Sequence, residues 1–313
     1  MEGAALEAVQ AAAREKRAVD AARAPVVTAI VLNWCGEADT AACLRSLAAG
    51  DYPALRVLLV DNGSPDGSGD ELHAAFPETP YLQTGTNLGY TGGNNRGMER
   101  ALEDGCDYVL VLNNDTVAEP DCVSRLVAAA RSRPKVGAVG PKILYADEPD
   151  RIWFAGGDLS RTRALGTHRR EGERDDVPDP AAAGPEEVTF LTGCCLLIPA
   201  DVVREVGGFE EDFFAYAEDV DLSLRLAERG YSLLYEPRAR LLHRISPTEQ
   251  PSPFGIRHAT RNRRRLARRR FTAAQRVRFA LFFYPTRLIR AAGYLLSGDR
   301  PRARAVWDGA VGR

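Results

Sequence analysis

Asn113-Asn114-Asp115 ends the apolar run DYVLVLN (107–113), and a carboxylate fixed at such a place can hold a divalent cation against a diphosphate. A hard cation takes oxygen ligands, and one or two protein carboxylates suffice when phosphate oxygens complete the shell. Asn and Asp are equally ordinary choices for a turn that closes a strand, so these three residues alone leave both readings open. Asp61-Asn62-Gly63-Ser64 closes a second apolar run, RVLLVD (56–61), with the Asp61 carboxylate placed to accept hydrogen bonds from a nucleotide base or ribose. Asn33 closes a third, VVTAIVLN (26–33). Between them, Asn87 to Gly97 sets four glycines and three asparagines, Asn94 among them, ahead of a predicted helix. Glycines permit close backbone approach, and a helix start offers free N–H groups to an anion. The stretch is not a Walker A loop, because no Gly-Lys-Ser/Thr follows.

Farther along, Phe209 to Asp221 packs carboxylates among aromatics at a predicted helix start. Partial desolvation there raises a carboxylate pKa, as a general base requires, although acids also favour a first helical turn through the dipole. Asp219 and Asp221 cannot both face one site, since residues two apart diverge on a helix. His243, in LLHR, gains interest only beside a carboxylate, where an Asp-plus-His set suits manganese as well as magnesium.

The elements that must position these groups follow from the pattern. Short β-branched runs alternate with helical stretches: strands at 26–33, 56–61, 81–83 and 107–113, and helices near 40–49, 69–75 and 92–103. That alternation predicts an α/β chain with a mostly parallel central sheet and helices on both faces, and strands covered twice read as almost wholly apolar. In an open parallel sheet the carboxyl ends of the strands line one edge, where ligands bind. VTFLTGCCLLIP (188–199) reads as a buried strand or a hairpin with a bulge at Gly193, followed by a helix over 217–229 and a strand over 231–235. Residues 171–187 read as a surface loop.

At 313 residues and 45% hydrophobic, the chain can bury one large α/β domain with an appendage. The charge is unevenly spread: from Phe254 onward sixteen arginines face two aspartates, a net +14, while the whole chain carries -2. Such an arm suits contact with an anionic partner. Residues 261–270 are densely cationic, and 277–296 interleave Phe279, Phe282, Tyr284, Leu288 and Ile289 with Arg287 and Arg290, as a helix lying in a headgroup plane would. The competing expectation is a helix packed by its apolar side on the catalytic domain. An acidic remainder and the lack of a reader module argue against nucleic acid. Six cysteines without C-x-x-C pairing, no bilayer-length apolar run and no signal-peptide core predict a reduced, cytoplasmic setting. Three regions are expected: an N-terminal helical extension (1–24), a catalytic domain (25–250) and a basic amphipathic helical region (251–313).

The pieces VLNW, VDNGS, NLGYTGGNNRG, LNNDT, FLTGCCLLI, VGGFEEDFFAYAEDVDLSLRL and LLHR stand in an order that resembles family 2 glycosyltransferases of the GT-A fold, within them the bacterial rhamnosyltransferase-like branch that builds lipid-linked glycans. The resemblance spans about Val26 to Arg244. It implies an inverting, metal-dependent transfer of one sugar, first choice L-rhamnose from dTDP-rhamnose, from a nucleotide-diphosphate donor to a glycan or polyprenyl-linked acceptor at the inner face of a membrane. By matched position, Asn33, Asp61, Asn87, Asn94 and Asn114 would lie along the nucleotide sugar. Asp115 and His243 would hold Mg2+ or Mn2+, Asp219 would be the base, and Gly193 and Glu218 would lie on the acceptor side. Two positions depart from the family pattern. Asn113-Asn114-Asp115 lacks the first carboxylate of a D-x-D, and Phe209-Glu210-Glu211 stands for Phe-Asp-Glu. No Q-x-x-R-W sequence follows, which favours single transfer over polymerisation. A sugar nucleotidyltransferase and a non-catalytic nucleotide-sugar-binding protein are the alternatives; the first usually has a Gly-rich basic loop where this chain has Asn33-Trp34-Cys35-Gly36-Glu37.

Overall fold

The computed structural model describes residues 24–176, 184–245 and 251–312. The helix expected over 1–24 falls outside them but for Ala24, as does the 177–183 part of the expected surface loop. In chain order the first half runs β1 (Val27–Asn33), α1 (Glu37–Ala48), β2 (Leu55–Asp61), α2 (Ser68–Ala75), β3 (Tyr81–Gln83), α3 (Gly89–Glu103) and β4 (Tyr108–Asn113). β1 pairs in parallel with β2 and β4, and β3 extends the sheet beyond β2. Val27, Ala29, Ile30 and Val31 are wholly buried, because helices cover both faces of their strand.

The second half continues β5 (Thr116–Ala118), α4 (Cys122–Ala130), β6 (Val136–Tyr145), β7 (Ile152–Phe154), β8 (Gly157–Ser160), β9 (Leu165–His168), β10 (Glu186–Val188), β11 (Cys195–Pro199), α5 (Ala200–Val206), α6 (Glu218–Glu228) and β12 (Ser232–His243). The main sheet has the order β10-β12-β6-β11-β4-β1-β2-β3, with β5 on β12 and β7 on β6. It is mixed: β11 lies antiparallel between β4 and β6, while β12 and β6 run parallel.

Three local expectations change. The 188–199 segment is no hairpin, since β10 pairs with β12 at one edge and β11 enters the sheet centre. β12 extends well past Tyr235 to His243. Pro237 lacks an N–H to donate, so pairing is broken between Glu236 and Arg240 and then resumes on β6. α3 starts at Gly89, ahead of the expected start at 92, so that Gly89 joins Gly92, Gly93, Asn94 and Gly97 inside the helix. A helical glycine costs about 1 kcal/mol against alanine, but a Cβ at Gly93 or Gly97 would come within 2.5 Å of Leu32 or Ile30 on β1. These glycines set how closely the helix approaches the sheet.

Three helices follow: α7 (Pro253–Arg270), α8 (Ala273–Leu296) and α9 (Arg300–Val311). Ser252 caps α7 by accepting from the Gly255 N–H at 3.1 Å, and Thr272 with Gln275 forms a capping box for α8. Although α7 lies beyond the expected boundary at 250, its Leu266 and Ala267 belong to the same apolar core as β1 and β4. Its cationic stretch is partly paired: Arg270 meets Asp221 at 2.8 Å, and Arg269 meets Glu210 at 3.0 Å and also Asp212. α8 differs, burying only Phe279 and Phe283. Among the described residues no helix is long and apolar enough to cross a membrane.

Candidate active site

The parallel register sets Asn33 beside Asp61 and Leu32 beside Asn113, so three polar strand ends share one sheet edge. Asn33 joins two of them. Its Nδ2 donates to Asp61 Oδ1 (2.9 Å) and Ser68 Oγ (3.0 Å), and its Oδ1 accepts from Thr40 Oγ1 (3.0 Å). Asp61 also accepts from the Ser64 N–H (3.1 Å) and Gln83 Nε2 (2.6 Å). Both Asn33 and Asp61 are fully buried, so the nearest group able to yield to an incoming base is the exposed Gln83 amide.

Next to this network lies a cavity of about 570 Å3, lined by Trp34, Asn62, Asn87, Tyr90, Asn114 and Phe254 among others. Asn114 Nδ2 donates to Thr40 Oγ1 at 2.8 Å, which ties the third strand end to the Asn33 network. Asn94 is placed differently from its neighbours in the motif. It is wholly buried in α3, donates to the Tyr90 carbonyl at 2.9 Å and leaves its own Oδ1 without a partner.

Asp115 and His243 meet because β5 pairs antiparallel with the end of β12. Asp115 Oδ1 lies 3.2 Å from His243 Nε2, and the Arg244 N–H donates to the Asp115 carbonyl at 2.8 Å. Burial works against a charged His243 ring, but the Cys194 sulfur and the Asp115 carboxylate beside it outweigh that and raise its pKa to about 10. Asp115 Oδ1 and His243 Nδ1 are buried without a hydrogen bond. Asp115 Oδ1 and His243 Nε2 converge here and fit a hard or borderline divalent ion, which the ring can ligate once it gives up its Nε2 proton. No cluster of three or more His, Cys, Asp or Glu side chains able to hold a metal occurs among the described residues, so this pair would depend on phosphate and water for the remaining ligands.

The acidic pair sits at the start of α6. Asp219 accepts from the Gly193 N–H (3.1 Å) and the Val220 N–H (2.8 Å), while Tyr90 Oη donates to the Gly193 carbonyl (2.7 Å). Gly193, Tyr90 and Asp219 thus form one hydrogen-bonded group with Glu218 beside it, and Tyr90 also lines the cavity. Burial raises the Asp219 pKa, and the two backbone donors oppose the rise. Glu218 is pushed up to about 8, first by burial and then by the Asp219 charge, and its Oε2 has no hydrogen-bond partner. Burial thus favours a shared proton on the pair, and the two N–H donors on Asp219 favour Asp219 as the member that carries the charge.

The family model described as "Glycosyltransferase like family 2" matches residues 24–278, most of the chain. The chain belongs to glycosyltransferase family 2. A curated relative, the N-acetylglucosaminyl-diphospho-decaprenol L-rhamnosyltransferase of Mycobacterium tuberculosis, is 33% identical over 219 residues, covering 64% of this chain and 70% of the relative. Among solved structures, the mannosyltransferase PcManGT of Pyrobaculum calidifontis, in complex with GDP-Man and Mn2+, superposes with a TM-score of 0.57 at 16% identity, covering 93% of this chain and 88% of that one. GalNAc-T7 with UDP, GalNAc and Mn2+ gives 0.61 at 14% identity, over 78% of this chain and 48% of that one. At these identities the structures share the fold, which is GT-A.

In this family 2 glycosyltransferase the expected residues fall into three adjoining groups: Asn33 with Asp61, Asp115 with His243, and Gly193 with Glu218 and Asp219. Asn87 and Asn114 border the cavity, whereas Asn94 serves its own helix. Several residues at the site were not picked out from the sequence. Trp34, half exposed at the end of β1, offers an aromatic face to the cavity. Thr40, Ser68 and the exposed Gln83 complete the network around Asn33 and Asp61, and Phe254 reaches the cavity from α7. A large aromatic directly after a strand-ending Asn was the one available signal, and it pointed to Trp34 alone.

Proposed function

We propose that this enzyme moves a single sugar from a nucleotide-diphosphate donor to an acceptor hydroxyl with inversion at the anomeric carbon. The observation that carries the reading is Asp219, a half-buried residue whose carboxylate accepts from two backbone N–H groups beside the buried Glu218. Asp219 takes the acceptor hydroxyl proton as the oxygen attacks the anomeric carbon; the bond from that carbon to the diphosphate oxygen breaks, and the nucleoside diphosphate leaves. A divalent cation held by Asp115 and His243 would offset the charge that gathers on the departing diphosphate. Asn33, Asp61 and the Trp34 face suit the nucleoside. L-rhamnose from dTDP-rhamnose is the first donor to try, given the name of the mycobacterial relative, and the acceptor would be a lipid-linked glycan.

A thermal-shift and turnover screen of nucleotide sugars with Mn2+, Mg2+ or EDTA tests this. One donor should stabilise the protein in a metal-dependent way and release nucleoside diphosphate on transfer. Conversion of the nucleotide sugar and added pyrophosphate to nucleoside triphosphate and sugar 1-phosphate would indicate a nucleotidyltransferase instead, and binding of a donor without turnover on any acceptor would indicate a binding protein.

Contact with an anionic membrane surface is part of the same reading. Leu281 (73%), Ile289 (72%) and Leu296 (90%) stand exposed on α8, on the same helix as Arg287 and Arg290. An apolar face edged by arginine suits the headgroup boundary. Sedimentation with vesicles containing anionic lipid should pull down the wild type, less at high salt, and should lose most of the Leu281→Ser/Ile289→Ser double variant. Equal recovery of both proteins would refute the contact.

A further inference from the structure

Four features converge on the segment that leads into Asp219. Phe214 has φ 64° and ψ -57°, and the Ala215 N–H donates to the Phe213 carbonyl at 2.7 Å, which makes Phe214 the centre of a γ-turn of the rare, positive-φ kind. Tyr216 (φ 71°) and Ala217 (φ 70°) are also left-handed, so three of the four residues before Glu218 occupy a region that side chains disfavour. Backbone of this kind persists only where its surroundings over-determine it. On one side α3 supplies that restraint: the Thr91 N–H donates to the Phe214 carbonyl at 3.1 Å, and Gly89 leaves room for the Phe214 ring.

On the other side Phe254 and His258 of α7 pack on the Phe214 ring, and one α7 side chain holds the turn's carbonyls. Asn262, wholly buried on α7, directs Nδ2 at the carbonyl oxygens of Phe213 (2.8 Å), Ala215 (2.8 Å) and Tyr216 (2.9 Å). Two N–H bonds are shared among three acceptors. The reverse amide orientation would set an oxygen against three oxygens, so the donor assignment follows from the chemistry. Asn262 Oδ1 has no hydrogen-bond partner, and all the amide's bonds go to the turn.

We propose that Asn262 is a positioning residue for transfer: by clamping the Phe213–Ala217 turn it fixes where α6 begins, and so where the Asp219 carboxylate stands relative to Gly193 and the cavity. This deepens the reading of Asp219 as the base and rests on it. It also makes α7, which lies within the basic region, part of the catalytic apparatus. Asn262 touches neither donor nor acceptor in this assignment; it acts through the turn.

The test uses Asn262→Leu and Asn262→Asp in the full chain, both close to asparagine in size and both without the amide donors at neutral pH. Transfer kcat should fall roughly 30-fold or more, since small displacements of a reacting group cost that much, while donor KM stays within about threefold. The acid limb of the kcat profile should move, because the surroundings of Asp219 change. Hydrogen exchange gives a readout independent of activity: the Ala215 and Thr91 amides should exchange roughly tenfold faster or more, with β1 and β4 amides unchanged. A kcat within about threefold of wild type in folded variants would overturn the proposal. So would a loss of activity that merely matches the lost folded fraction, with limb and exchange unmoved. If the wild type turns over no donor, the functional reading has failed separately; unaltered exchange at Ala215 and Thr91 would then remove the clamp as well.

Discussion

Asp219→Asn is expected to lower transfer by roughly 10³-fold while leaving donor affinity near the wild-type value, because positioned proton transfer contributes on that order. The change is nearly isosteric, and the amide oxygen can still accept one of the two bonds now received from Gly193 and Val220. What disappears is the capacity to take a proton. Glu218 does not replace it, since burial, the first cause of its raised pKa, persists in the variant and keeps favouring the protonated carboxyl. The pH dependence follows in sign. Asp219 works ionised, so kcat declines as pH falls through its pKa, and burial has moved that pKa above the ordinary aspartate range. The acid limb should therefore lie higher than an exposed aspartate would give, and it should be absent from the residual rate of the variant. Stability runs the other way: Glu218 stays protonated in the fold and ionises when unfolded, so its contribution declines as pH rises from about 4.5 to about 8. Steady-state kinetics across pH with a parallel donor-binding titration decide the matter. Normal turnover in Asp219→Asn would remove it as the base.

The sheet edge was legible because β1, β2 and β4 are apolar on both faces and end in polar turns, so pattern and topology agree. Pattern alone places Asn33, Asp61 and Asn113 to Asp115 at one edge. The second half was harder to read. Pro237 marks an end to a strand by local rules, yet β12 continues to His243 because β6 remains available beyond the break. Gly193 suggested a bulge in one strand, while the structure uses it in the turn between two strands that never pair. The glycine run signals close backbone approach without naming what approaches, and in α3 Gly93 and Gly97 face the bulk of Leu32 and Ile30. Asn262 could not be found at all: it sits in RNRRRLARRR, where charge dominates the pattern, and its partners lie more than forty residues earlier. Sequence periodicity reports the face a residue takes, and a side-chain clamp on a distant turn leaves no period.

Asp115→Ala should abolish metal-dependent stabilisation by the donor and reduce transfer roughly 10²-fold or more, the scale on which loss of a charge-stabilising group at a leaving oxygen is felt. Asp115 carries the only carboxylate of Asn113-Asn114-Asp115, so no neighbouring acid can take over. Asn114 is committed to Thr40 through its amide, and its carboxamide supplies no charge. His243 would remain as the one protein ligand, and it binds only by giving up a proton, so a hard cation held by one imidazole and the diphosphate alone loses its strongest protein contact. The variant's fold should survive, because the Asp115 carbonyl still accepts from Arg244 and β5 stays paired with β12. Mn2+ titration in the presence of nucleoside diphosphate, followed by calorimetry, separates the possibilities. Wild-type protein should bind Mn2+ together with the nucleotide, Asp115→Ala should bind nucleotide with little response to Mn2+, and Asp219→Asn should bind both as wild type does. Undiminished Mn2+ affinity in Asp115→Ala would place the cation elsewhere, and the Asp115–His243 contact would then be an ion pair that closes the end of β12.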